Sequence, residues 1–186
     1  MTARQADRRR RVIAAARDLV AAGRVRDVQV KEIADAAGVS LAAIYRYFSS
    51  KEHLMAEALL DWAQGLTERR PAGPPGPESF ARLVRRGVSA YRREPQYAEL
   101  FLEVAASRDP YALACFGRMS DGVTAAMDAA LADVDPALAS EIVRVIGNAW
   151  LGGLFDCVHR RSDFAALERS LDAGCRLLLA GAGIPA

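Results

Sequence analysis

Lysine is nearly missing from this chain: Lys31 and Lys51 are the only two, and every other cation is arginine. With so much alanine, that bias points to a GC-rich genome rather than to a function. Histidine is as scarce, with His53 and His159 alone. Neither sits in an HExxH pair, and there is no GxSxG and no glycine-rich phosphate loop. The common signatures of metalloprotease, serine hydrolase and nucleotide-hydrolysing chemistry are therefore absent. The three cysteines, Cys115, Cys157 and Cys175, are odd in number and far apart, with no CxxC among them. That excludes a disulfide framework or a structural zinc site and leaves reduced core thiols. No metal and no cofactor is expected. No run of eighteen apolar residues is free of charge, which excludes a membrane span. The start, MTARQADRRRR, has the charge of a secretory signal but no apolar segment after it. The expected location is the cytoplasm. Sustained period-2 alternation is also missing, so no strand is expected.

What is present is ample apolar material, 52% of 186 residues, enough for a buried core. Apolar positions recur at three and four. Val12, Ile13, Ala16, Leu19 and Val20 mark a first helix that ends at Gly23. Val30, Ile33, Ala34 and Ala37 mark a short second one that stops at Gly38. A third is predicted over about 41–48 with Ser40 as its N-cap, and a fourth from Lys51 past Trp62 towards Arg70. The segment PAGPPGP, 71–77, precludes helix. Beyond it, helices are predicted over about 78–94, 95–107, 110–132, 136–160 and 163–181. Asp109-Pro110 and Asp135-Pro136 each pair an N-cap with a proline suited to the first turn, and Ser162 can cap the last helix.

Net charge is informative only when split. Residues 1–51 carry +6 and residues 52–186 carry −4. A basic head on an acidic body implies that the head meets a polyanion.

The decisive stretch is QVKEIADAAGVSLAAIYRYFSSKEHL, 29–54. Two short helices meet at Ala37-Gly38-Val39, where small residues permit close crossing and Gly38 can take the positive φ of a helix end. Ile33, Ala34, Val39 and Ile44 are spaced to hold the pair together, so the second helix presents its first turn outwards. This pattern resembles the TetR family of repressors. It matches at Ile33, Ala34, Ala37, Gly38, Val39, Ser40, Ile44, Tyr45, Tyr47, Phe48, Ser50, Lys51 and Leu54.

The resemblance implies an all-α fold of about nine helices: a three-helix helix-turn-helix domain over 1–50, then a helical ligand-binding and dimerisation domain over 51–186. It implies a ligand-responsive regulator, a repressor rather than an enzyme, on a palindromic operator. Tyr45, Tyr47 and Lys51 match phosphate-binding positions, with Ser40 capping the reading helix. Leu41, Ala42 and Ala43 fall where the family touches base edges and can offer only apolar contacts, for instance to thymine methyls. Lys31 matches a position that can reach a guanine edge, and Arg46 suits phosphate or base. Gln29 stands where the family usually has a capping, phosphate-binding threonine; Glu32 can still fold back as its N3 partner, but glutamine is a poor N-cap. Arg8 to Arg11 are either a basic arm or a frayed, solvated terminus.

By the same resemblance, the middle helices enclose an effector and the last two build a homodimer. Candidate pocket residues are Trp62, Tyr91, Tyr97, Phe101, Met119, Phe155 and His159; plain core packing accounts for each of them as well. The lack of a charged cluster at helical spacing suggests an apolar ligand. Candidate interface residues are Val143, Ile146, Trp150, Gly153, Leu171, Gly174 and Leu178, a pattern that burial within one subunit would also produce. Two segments, YRYFSSKEHL and NAWLGGLFDCVHRRSDFAALERSLDAGCRLLLAG, are similar to actinobacterial repressors of sterol catabolism, whose effectors are steroid-CoA thioesters. Two rivals stand beside this reading: a DNA-binding protein without an effector, and a helical enzyme.

Overall fold

The structure, a computed structural model, describes residues 2–67 and 74–183. Among these residues every regular element is a helix: α1 Ala3–Ala21, α2 Val30–Ala37, α3 Leu41–Tyr45, α4 Lys51–Thr67, α5 Pro77–Arg93, α6 Gln96–Ala105, α7 Pro110–Ala130, α8 Pro136–Val158 and α9 Phe164–Gly181. Among the described residues, the expectation of about nine helices and no strand holds. No described helix is long and apolar enough to cross a membrane.

Local chemistry sets the boundaries. Thr2 and Gln5 cap each other's backbone N–H, so α1 begins at Ala3. The arginines 8–11 therefore lie within a helix rather than in a frayed terminus. Asp109 and Asp135 cap α7 and α8 as expected, each accepting two backbone N–H bonds at 2.9–3.1 Å. Asp163, not Ser162, caps α9, accepting from Ala166 N–H at 2.6 Å. Of the proline segment, residues 71–73 lie outside the described residues, as do 68–70 at the expected end of α4. Pro77 opens α5 rather than extending the break, at the N-terminal position where its missing donor costs nothing.

The chain divides into two compact units by packing, 1–65 with 96–119, and 66–95 with 120–186. In the first unit α1 packs on α2 and α6. Its core includes Val12, Ala16, Val20, Ile33, Ile44, Phe48, Leu54, Leu59, Tyr97 and Leu100, all essentially buried.

In the second unit α9 packs on α5 and α8. Phe80, Val84, Val88, Ile142, Ile146, Leu167, Leu171, Cys175 and Leu179 form its core. Two glycines permit the approach of these helices. A Cβ at Gly153 would collide with the Leu167 side chain, and one at Gly87 with the Trp150 indole. Gly153 therefore serves packing within one chain. Ile146 and Leu171, both expected at an intersubunit face, are also buried within the chain, and Gly174 lies against Ile146. Val143, Trp150 and Leu178 are half-buried against the same core. The exposed large apolar positions of α8 and α9 are instead Leu138, Val145, Leu151, Phe155 and Leu177.

Candidate functional site

Gln29 precedes α2 without a side-chain cap bond. Glu32 supplies the missing half, its carboxylate accepting the Gln29 N–H at 3.0 Å and the Arg24 guanidinium at 2.8 and 3.1 Å. The Arg24 bonds, then the Gln29 N–H, hold the Glu32 carboxyl below its usual range. Gly38 closes α2 at φ 63°, ψ 44°, the left-handed conformation glycine adopts without strain. Arg11 bonds the Ala37 carbonyl at 3.1 Å, satisfying one orphan acceptor at that helix end.

The reading helix α3 follows at once. Ser40 Oγ accepts the Ala43 N–H at 3.2 Å. Regular helix ends at Tyr45 rather than Phe48, because Tyr47 N–H turns back to the Ile44 carbonyl and tightens the last turn. Ile44 and Phe48 are buried; Leu41, Ala42, Tyr45 and Arg46 are exposed, and Ala43 and Tyr47 are half-buried. Leu41 and Tyr45 are large side chains left 42% and 52% open to solvent. Lys31 is exposed on α2. Lys51, at the start of α4, donates to the Arg26 carbonyl at 3.1 Å, so one of its three donors already ties the α3–α4 turn to the α1–α2 connection.

Behind this face lies a polar cluster that sequence reasoning missed. Glu57 is a nearly buried carboxylate in the apolar run LMAEALL of α4. Its Oε1 takes Arg9 Nη2 at 2.6 Å from α1 and Arg118 Nη2 at 3.1 Å from α7. Burial opposes its charge, yet the guanidiniums win and hold its carboxyl below the usual range. An acid placed at a core register of a helix was the available signal. His53, one turn earlier, stacks on Tyr111 and meets Phe48 edge-on. Its Nδ1 accepts the Ser49 N–H at 3.1 Å, which leaves the proton on Nε2, 3.7 Å from Glu57. Burial pushes its pKa down.

His53, Glu57 and Cys115 bring three potential metal-ligating atoms within 4.8 Å of one another. His53 Nδ1 accepts the Ser49 N–H, and Glu57 Oε1 takes two guanidiniums. Metal at Nε2 would displace a proton whose other ring position already accepts a backbone donor. Burial and Glu57 push the Cys115 thiol up to about 11.

The expected pocket residues fall in both units. In the first unit Trp62 and Tyr97 stack at 4.5 Å, both buried; Phe101 meets Phe116, and Met119 is buried. In the second, Tyr91 is buried against Trp150, and burial pushes its phenol pKa up. Phe155 and His159 are exposed near the end of α8, stacked on each other at 4.0 Å with Arg161 over the Phe155 ring. They sit one helix step away from the buried stripe through Ile146 and Leu154.

Comparison with known proteins agrees with this geometry. Residues 12–58 match the model of bacterial regulatory proteins of the tetR family, and residues 75–178 match a tetracyclin repressor-like C-terminal domain. The chain is 28% identical over 179 residues to the HTH-type transcriptional repressor KstR of Rhodococcus jostii, covering 94% of this chain and 84% of that one. It is 29% identical over 182 residues to KstR of Mycobacterium tuberculosis, covering 94% and 82%. A TetR transcriptional regulator from Rhodococcus sp. RHA1 shares the fold with a TM-score of 0.81, 22% identity, and coverage of 95% and 97%. FadR of Bacillus subtilis, solved with stearoyl-CoA, follows at 0.69 and 21%, with coverage of 92% and 98%. The multidrug binding protein EbrR, solved with ethidium, follows at 0.66 and 24%, with coverage of 96% and 99%.

Proposed function

The chain belongs to the TetR family of bacterial regulatory proteins, and on that premise we propose that it binds a palindromic operator as a homodimer and leaves it when a small, largely apolar effector binds. The family is regulatory rather than enzymatic. The observation that carries the operator reading is the outer face of α3. Leu41, Ala42, Tyr45 and Arg46 stand clear of a core that holds Ile44 and Phe48 beneath them. A helix that buries one side and leaves large side chains open on the other suits insertion in a major groove.

Leu41, Ala42 and Ala43 read by apolar contact, Lys31 and Arg46 by polar contact, and Tyr45, Tyr47 and Lys51 hold phosphates, with Gln29 and Ser40 beside them at helix starts. The effector role rests on Trp62, Tyr97, Phe101 and Met119 in the first unit and on Tyr91 in the second. Relatives of the same fold hold stearoyl-CoA and ethidium, both with large apolar parts; a steroid or acyl-CoA type of molecule fits that class. The dimer reading rests on the open apolar positions of α8 and α9.

The test is a binding-site selection from random duplex, followed by titration of the recovered site. Recovery of a two-fold symmetric sequence with half-sites about one helical turn apart is the expected outcome. Recovery of no consensus would remove the operator reading.

A further inference from the structure

A cavity of about 500 Å³ opens in the first unit, lined by Arg9, Arg10, Ile13 and Ala14 of α1, by Glu57, Leu60, Asp61 and Gln64 of α4, and by Arg118 of α7. None of the aromatic residues assigned above to an effector lines it. The spacing is that of two facing helix sides, with steps of three and four residues on α4. α1 and α4 are tied across it by two ion pairs, Arg9–Glu57 at 2.6 Å and Arg17–Asp61 at 2.7 Å.

The charges do not balance. Three guanidiniums face the cavity against two carboxylates, and Arg17 from outside the lining already holds Asp61. Glu57 must serve Arg9 and Arg118 together, through the same oxygen. Arg118 Nη2 is shared with the Cys115 thiol at 3.2 Å, and its side chain is half-exposed. Arg10 is held by the exposed Asp7. Beside this surplus, Ile13 and Leu60 provide a buried apolar floor.

We propose that this cavity binds a small organic carboxylate with an apolar body. Its anionic group takes guanidinium donors from Arg118 and Arg9 in competition with Glu57, and its apolar part lies on Ile13, Ala14 and Leu60. Guanidinium forks match a carboxylate in two parallel bonds, and the size suits a small ligand. The site reports to the DNA face through Arg9. Its guanidinium lies 5.4 Å from the centre of the Phe48 ring, which underlies the end of the reading helix. An anion that draws Arg9 from Glu57 loosens α1 from α4 at that point. The effect on DNA rests on the operator reading above; the binding itself does not.

The test is calorimetric titration of the DNA-free protein with octanoate, with 1-octanol as its uncharged twin and acetate as the charge without the body. Octanoate should bind saturably, and octanol and acetate far more weakly. Arg118→Gln should weaken octanoate about tenfold, the loss of one charge-assisted bond. Glu57→Gln should tighten it, because the competing carboxylate is gone. Should Glu57→Gln fail to fold, the half-exposed Arg118→Gln decides alone. Equal binding of octanol and octanoate, or unchanged octanoate affinity in Arg118→Gln, overturns the site. Octanoate binding that leaves operator affinity untouched overturns the coupling through Arg9 while the site stands.

Discussion

His53 carries a pH dependence whose sign follows from its contacts. Burial pushes its pKa below the ordinary 6.5, outweighing the attraction of Glu57 and Asp109, with Arg9 adding to the depression. The unfolded chain therefore takes up this proton first on acidification. The stabilisation is whole above the unfolded value and is lost as pH falls through the folded one. Protonated Nδ1 would also face the Ser49 N–H donor-to-donor. The melting temperature of the parent should fall more steeply than that of His53→Gln between roughly pH 7 and 5. Parallel curves would clear His53 of the role. The two lysines separate the same way on DNA. Lys51→Ala should weaken specific and random duplex alike, because phosphate contacts carry no sequence information. Lys31→Ala should relax one base pair per half-site, at a cost of about 1–3 kcal/mol. A binding-site selection on the Lys31 variant that returns the parental consensus would show that this residue does not read a base.

Among elements, α8 holds neighbouring glycines with opposite surroundings. Gly153 is closed by Leu167, whereas a Cβ at Gly152 meets nothing within 4 Å. Gly153→Ala should destabilise the fold by about 1–3 kcal/mol through overpacking. Gly152→Ala in a helix interior should be neutral or stabilising by up to about 1 kcal/mol. Chemical denaturation of the pair checks both, and equal effects would mean that α9 moves freely to accommodate the methyl. At α2 the same scale explains why glutamine suffices as the leading residue. Glu32 caps the Gln29 N–H from inside the helix and is itself fixed by Arg24. Arg24→Ala should therefore loosen the start of α2, visible as faster amide exchange there.

For the molecule as a whole, the proposed dimer would have to be built from the positions that the core leaves open. Leu151→Arg or Leu177→Arg should give a monomer by light scattering, Leu177 being 75% exposed within one chain. An unchanged dimer in both would place the interface elsewhere. Signalling has a thermodynamic requirement of its own. α4 carries Lys51 at its first residue and Trp62 eleven residues on, about 16 Å along one rod. If stearoyl-CoA binds and lowers operator affinity, operator must lower stearoyl-CoA affinity by the same factor. Equal stearoyl-CoA affinity with and without operator would mean that the two sites are not coupled.

Periodicity and capping were legible from the chain alone, because both are local. Apolar spacing placed each helix, Asp109 and Asp135 marked two starts, and Gly38 marked the turn that sets α3 against α2. The exposed face of α3 was legible for the same reason: once Ile44 and Phe48 face inward, Leu41, Tyr45 and Arg46 have nowhere else to point. Tertiary structure decided what depends on distant residues. The same spacing at Ile146, Gly153 and Leu171 serves a subunit interface or an internal core equally well; the tertiary structure buries Ile146 and Leu171 within the chain and sets Leu167 against Gly153. Arg9, Glu57 and Arg118 lie on three helices, and nothing in their spacing brings them together. Their convergence follows from the packing of α1, α4 and α7, where one buried carboxylate requires counter-charge and the fold supplies it twice.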